Sequence, residues 1–217
     1  YNSVCALLDD GSVKCWGDDA YGQLGNGGTN TDLESPPSSS INFGTGRTAK
    51  AITGGEFHFC AILDDDSIKC WGHGANGKLG TGSHADRTTP TSTSGSFASG
   101  RYAVAIDAGY DHTCAILDNG DMTCWGSDAD GQLGNGASSS STVSSLSSST
   151  ISLGTGRTAI SLSAGGEHTC AQLDNNQLMC WGNRADGQVG DNGNFNNPSD
   201  RTSPSSVSNN NHGGNTY

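Results

Sequence analysis

The sequence predicts an all-β chain made of four copies of one antiparallel unit, and three observations predict it. The segment CALLDDGSVKCWG, Cys5 to Gly17, returns as CAILDDDSIKCWG from Cys60, CAILDNGDMTCWG from Cys114 and CAQLDNNQLMCWG from Cys170. The first cysteines stand 55, 54 and 56 residues apart, a spacing that marks a tandem array. After each Trp comes a glycine-rich tail, YGQLGNG, NGKLGTG, DGQLGNG or DGQVGDNG.

The elements follow in order within each repeat. An entering frame, TGRTAKAITGGEFHFC, SGRYAVAIDAGYDHTC or TGRTAISLSAGGEHTC, precedes the second, third and fourth hairpins. Between a tail and the next frame lie polar stretches such as TNTDLESPPSSS and ASSSSTVSSLSSST, whose Ser, Thr and Pro content marks loops. The repeat units are read as 1–43, 44–97, 98–153 and 154–217, the first incomplete on its N-terminal side.

The hairpin itself can be counted. In the third copy Leu117 and Asp121 flank Asp118-Asn119-Gly120, a three-residue connection whose last position is left-handed and suits Gly. Asp66 and Asn176 take that position in the second and fourth copies, as residue types that tolerate it. Counting outward sets Cys114 opposite Cys124 at a non-hydrogen-bonded pair, where facing side chains are closest. The same count pairs Cys5 with Cys15, Cys60 with Cys70 and Cys170 with Cys180, so the eight cysteines make four local disulfides. Zinc ligation fits worse, because each hairpin offers only two thiolates with no second pair nearby in sequence. Alternation places Trp16, Trp71, Trp125 and Trp181 on the face opposite the cysteines, so each sheet needs a neighbour on both sides.

The recurring Gly-rich turn, His, strand, Asp-Gly, strand, Trp-Gly and Gly-Gln-Leu-Gly-x-Gly resembles the regulator of chromosome condensation repeat. That resemblance implies four-stranded antiparallel propeller-type blades, here in an open array or filament or in a closed ring. It implies little about function, because the fold serves several. The eponymous nuclear members lack a cysteine pair in each repeat, and the usual ring has seven blades where this chain has four repeats.

Composition limits the function classes. Of 217 residues 32% are hydrophobic and 33 are Gly, so the core is thin or divided. The net charge of -12 disfavours nucleic acid and anionic membrane surfaces as partners. No apolar run is long enough to span a bilayer, and YNSVCALL lacks the charged start of a signal peptide, so a mature part or middle piece of a longer protein is expected. Four disulfides point to an oxidising setting, extracellular or at a cell surface. No catalytic motif, cofactor fingerprint or metal cluster is evident, so the chain is read as non-enzymatic, with no cofactor.

Three sets of residues invite a functional reading. His58, His112 and His168, with Ser3 in the first copy, stand two before the first cysteine and are read as packing residues bonded to a backbone carbonyl, a metal ligand role being the alternative. Arg47, Arg101 and Arg157 are read as bonding loop carbonyls or a carboxylate, a partner contact being the alternative. Ser127-Asp128-Ala129-Asp130-Gly131 has the spacing of a calcium loop without its distant Glu, and equally that of a tight turn.

Two functions remain. One is an extracellular structural or assembly protein that self-associates head to tail. The other is a binding module recognising a protein or glycan through the loops Thr29 to Ser40, Ser83 to Ser96 and Ala137 to Thr150, where only Arg87 and the neighbouring Phe97 resemble anchors. Self-association is suggested by the ends: HGGNTY joined to YNSVCALL reads like ITGGEFHFCAIL, so the C-terminal segment of one molecule is expected to complete the first blade of itself or of the next.

Overall fold

The computed structural model describes residues 2–98, 100–137, 141–192 and 200–207. Its strands are β1 (Ser3–Leu7), β2 (Val13–Gly17), β3 (Ala49–Gly54), β4 (His58–Leu63), β5 (Ile68–Gly72), β6 (Arg87–Ser92) and β7 (Ala103–Ala108). They continue with β8 (His112–Leu117), β9 (Met122–Ser127), β10 (Thr142–Val143), β11 (Ala159–Ala164), β12 (His168–Leu173), β13 (Leu178–Gly182) and β14 (Arg201–Ser206). Three antiparallel four-stranded sheets run β3-β4-β5-β6, β7-β8-β9-β10 and β11-β12-β13-β14. The first sheet holds β1 and β2, with a bridge from Gly17 to Leu33 where the other blades carry a fourth strand. The joined ends proposed from HGGNTY lie outside the described residues.

The hairpin count holds. Leu117 N–H donates to the Asp121 carbonyl at 2.8 Å, and Gly120, Asp66 and Asn176 have φ of 81°, 66° and 63° at the left-handed position. Cys5 faces Cys15, Cys60 faces Cys70, Cys114 faces Cys124 and Cys170 faces Cys180 in register, and all four pairs are disulfides with Cα atoms 4.1 Å apart. That separation is the close, non-hydrogen-bonded kind of pair. Among the described residues no cysteine is free.

The core is divided between blades, as a chain of low apolar content requires. Three clusters fill the three joints, and each packs one blade's disulfide face against the next blade's indole face. Cys5, Val13, Cys15 and Leu24 meet Phe59, Ala61, Leu63 and Trp71. Cys60, Ile62, Cys70 and Leu79 meet Ala115 and Trp125. Cys114, Ile116, Cys124 and Leu133 meet Ala171, Leu173 and Trp181. Burying an indole with its aliphatic neighbours in each joint contributes several kcal/mol, at about 25 cal/mol per Å² of apolar surface.

Glycine spacing in the tails serves the same joint. A Cβ on Gly25, Gly80 or Gly134 would fall 2.8, 2.8 or 2.6 Å from the indole nitrogen of the next blade's Trp. Gly134→Ala therefore combines a left-handed φ of 67° with overpacking and is expected to cost about 3 kcal/mol. Gly156→Ala, at φ 69° with open space around it, should cost only about 1 kcal/mol. Urea midpoints of the two variants measure the difference, and equal losses would show that the indole contact contributes nothing.

Candidate functional site: the blade joint and its polar seam

Each joint carries a polar seam beside its apolar core. The Trp181 indole N–H donates to the Gln132 carbonyl at 2.9 Å, and the Thr169 hydroxyl donates to the same oxygen at 2.9 Å. His112 Nε2 lies 2.9 Å from the Thr169 oxygen. Because that hydroxyl proton is already committed to Gln132, the histidine must be the donor, which fixes the neutral Nε2–H tautomer. The preceding joint repeats this: Trp125 and Thr113 both donate at 3.0 Å to the Lys78 carbonyl, and His58 Nε2 sits 3.0 Å from the Thr113 oxygen. In the first joint Trp71 donates to the Gln23 carbonyl at 3.0 Å, but Ser3 and Phe59 replace the His and Thr. Phe59 instead stacks on Trp71 with ring centroids 6.0 Å apart.

His58 and His112 thus serve packing, as expected, but their acceptor is a threonine hydroxyl of the next blade and not a backbone carbonyl. A buried cation would lose its hydration, a cost that the Asp111 carboxylate near His112 offsets only in part. Burial accordingly pushes His112 down to about 4 and holds His58 well below its usual range. The three Gly-rich turns pack beside them. Cβ atoms on Gly55 and Gly109 would fall 2.2 and 2.3 Å from the carbonyls of Gly109 and Gly165.

Two acidic residues stitch further blades together. Asp107 accepts from the Thr53 hydroxyl at 2.8 Å and from the Ala164 N–H at 2.9 Å, so one carboxylate spans three blades. Asp111 pairs with Lys78, which is buried despite its charge, and also accepts from the Asn76 amide at 3.1 Å. Lys78 stands where the other tails have Gln23, Gln132 and Gln188, whose side chains close their own turns. Neither acid was distinguishable in the sequence, although the lone Lys in a Gln-Leu-Gly motif and the Thr that follows His112 and His168 were signals available there.

The other sequence candidates resolve into structure. Arg47, Arg101 and Arg157 pair with Asp64, Asp118 and Asp174, the carboxylate reading, in exposed bridges each contributing at most about 1 kcal/mol. In the 127–131 loop, Asp128 accepts from Leu133 N–H at 3.1 Å and from the Asn135 amide at 2.9 Å, so its oxygens close the turn. Tyr21 packs against His73 and Phe57 at 4.2 and 5.2 Å between ring centroids.

The seam makes stability depend on pH. His58 and His112 titrate below the unfolded value near 6.5, so the unfolded chain binds more protons as pH falls, and stability drops from about 6.5 towards 4. Raised carboxylates such as Asp19 and Asp128, desolvated by burial, act in the opposite sense just above their ordinary range. Comparing His112→Gln with the unaltered chain isolates the histidine: the slope of unfolding free energy between pH 5 and 6 should fall by about 1.4 kcal/mol per unit. An unchanged slope would refute the neutral tautomer. Thr169→Val, which strips the acceptor from His112, should cost about 1 to 3 kcal/mol at pH 7 by denaturant titration.

Comparison with known proteins returns the same repeat. The sequence profile of the regulator of chromosome condensation (RCC1) repeat matches residues 1–23, 49–78, 103–132 and 159–188, and a second profile of that repeat matches 65–116. The chain is 32% identical to the ultraviolet-B receptor UVR8 of Arabidopsis thaliana over 85% of its own length and 40% of that protein. It is 30% identical to the E3 ubiquitin-protein ligase HERC2 of Mus musculus over 82% of itself and 4% of that protein. Among solved structures, yeast RCC1 (Prp20) bound to Kap60 superposes with a TM-score of 0.78 at 21% identity, over 96% of this chain and 47% of that one. Human WBSCR16 superposes equally at 20% identity, over 95% and 51%. The chain therefore spans about half the length of these structures, and their low identity speaks for the fold.

Proposed function

Because the chain belongs to the regulator of chromosome condensation (RCC1) repeat family, we propose that it is a non-enzymatic extracellular scaffold of disulfide-stapled blades that assembles head to tail. The observation that carries this is the joint itself, together with the faces that the first and fourth blades present among the described residues. The first blade presents Trp16 and Val4 on its indole face, with Val4 47% exposed, whereas Trp71, Trp125 and Trp181 are fully buried. The fourth blade presents its disulfide face, with Leu178 exposed, and Gly190, the counterpart of the glycines that receive an indole, meets only Val207. Trp16 of one copy can reach the Gln188 carbonyl of the next as Trp181 reaches Gln132. Two departures weaken this contact relative to the internal joints. Gln172 replaces the aliphatic Leu7, Ile62 and Ile116, and Val4 gives His168 no hydroxyl.

Four disulfides support the extracellular setting. Among the described residues no helix is long and apolar enough to cross a membrane. A second reading, a binding module for a protein partner, draws on the Tyr21, Phe57 and His73 rings beside Glu56 and Asp86, which suit a cationic surface. The yeast relative solved with Kap60 is a member of this fold holding a protein.

Sedimentation under non-reducing conditions tests the assembly. The mean mass should rise with concentration for the unaltered chain and stay at one chain for Trp16→Ala, with both proteins folded by circular dichroism. A single-chain mass at every concentration would remove head-to-tail assembly and leave the binding reading.

A further inference from the structure

Among the described residues the first blade has one bridge, Gly17 to Leu33, where the second and fourth carry a full outer strand, and a cavity lies beside it. In blades two and four the fourth strand leaves Gly72 and Gly182 at Arg87 and Arg201, and returns where Thr93 N–H and Val207 N–H donate to the carbonyls of Ile68 and Leu178. Five residues separate those anchors. In blade one Leu33 and Gly17 exchange two hydrogen bonds, and Ile41 N–H donates to the Val13 carbonyl at 2.8 Å, but seven residues, ESPPSSS, lie between. Counted from Leu33, Pro37 falls where Thr91 pairs with Cys70 and Ser205 with Cys180, and proline has no N–H to give. The segment bows outward and leaves a cavity of about 730 Å³ beside β2, walled by Leu24, Leu33, Ile41, Pro37 and Pro90.

Cys15, 2% exposed, is among the residues that line this cavity. Its close pairing with Cys5 turns its N–H and carbonyl away from β1, and no partner for either is found on the outer side among the described residues. Lys69 reaches the same cavity from the second blade, its ammonium donating to the Phe43 carbonyl at 2.8 Å with no carboxylate partner among the described residues. The slot thus offers one donor, one acceptor, apolar walls and one cation. It is bounded at both ends, by Leu33 on Gly17 and by Ile41 on Val13.

We propose that this slot binds the C-terminal end of an extended peptide as a short antiparallel strand on β2. A Ser- or Thr-sized residue bridges Cys15 as Thr91 bridges Cys70, and a preceding proline is accommodated as in Thr-Pro-Thr of β6 and Ser-Pro-Ser of β14. Antiparallel to β2, the peptide runs towards Ile41. There it must stop, because Ile41 already holds the next acceptor, and its terminal carboxylate meets the Lys69 ammonium. The proposal is independent of head-to-tail assembly, since the slot lies on the blade's outer edge.

The probe is the pentapeptide Thr-Thr-Pro-Thr-Ser, labelled at its N-terminus and with a free C-terminus, titrated against the whole oxidised chain by fluorescence anisotropy. Binding should saturate, fall tenfold or more when the C-terminus is amidated, fall equally in Lys69→Met, and vanish when the fourth residue's nitrogen is methylated. Lys69→Met keeps the aliphatic stem, and an unchanged melting temperature confirms that its fold is intact. No saturation by the free acid at millimolar concentration overturns the proposal, as does equal affinity for acid and amide. Equal binding of hexanoate, insensitive to Lys69→Met or with the N-methylated peptide binding fully, overturns the peptide in favour of a simple anion or apolar pocket.

Discussion

The structure depends on one contact: the disulfide face of each blade packed on the indole face of the next, with the indole N–H held by a backbone carbonyl of the preceding tail. Gln23, Lys78 and Gln132 supply that carbonyl in the three joints. A carbonyl has two lone pairs, and in two joints the second is taken by a threonine that a histidine then caps. The seam therefore pairs the indole N–H, the threonine hydroxyl and the histidine Nε2 across the joint, leaving His58 and His112 Nδ1 without a partner among the described residues, while the sulfur and ring surfaces supply the burial. A blade without its neighbour would expose an indole on one side and a disulfide on the other, which is why the unit comes in a row.

Much of this was legible because the repeat is its own alignment. Four copies of one hairpin disclosed the turn residue at Asp66, Gly120 and Asn176, the register of the cysteines and the opposition of sulfur and indole. Each of these follows from local counting with a period of two. Four-stranded blades came through the family resemblance, since the outer strands RTTPTS and RTSPSS carry proline and little apolar content and read as loops on their own.

The seam was legible only in part, and the reason is physical. Counting along a strand says which way a side chain points, but not which residue of the next blade it meets. His58 and His112 could be placed as packing residues; Thr113 and Thr169 as their acceptors could not, because that contact spans 55 and 57 positions. Asp107, which joins three blades, has no counterpart in the neighbouring repeats, where Thr53 and Ser163 hold the corresponding places. Lys78 was visible as a departure from Gln, but its partner Asp111 belongs to the following blade.

The staple and the slot of the first blade come from a single geometric fact. A cross-strand disulfide of this closeness forms at a non-hydrogen-bonded pair, so the second cysteine's own N–H and carbonyl must point to the outer edge. Every stapled hairpin of this kind creates a need for a pairing residue outside it. Thr91 and Ser205 meet that need in blades two and four. Blade three has the same longer span as blade one, seven residues between Val143 and Ile151, and its cavity beside Cys124 is about 280 Å³ with Val143 among its walls. Blade one likewise has no residue paired with Cys15 among the described residues, but its cavity is the larger of the two, about 730 Å³, and faces Lys69. Where a repeat is held this tightly by its joints, variation collects in the outer strand, which the joints do not constrain, and recognition has room to arise there.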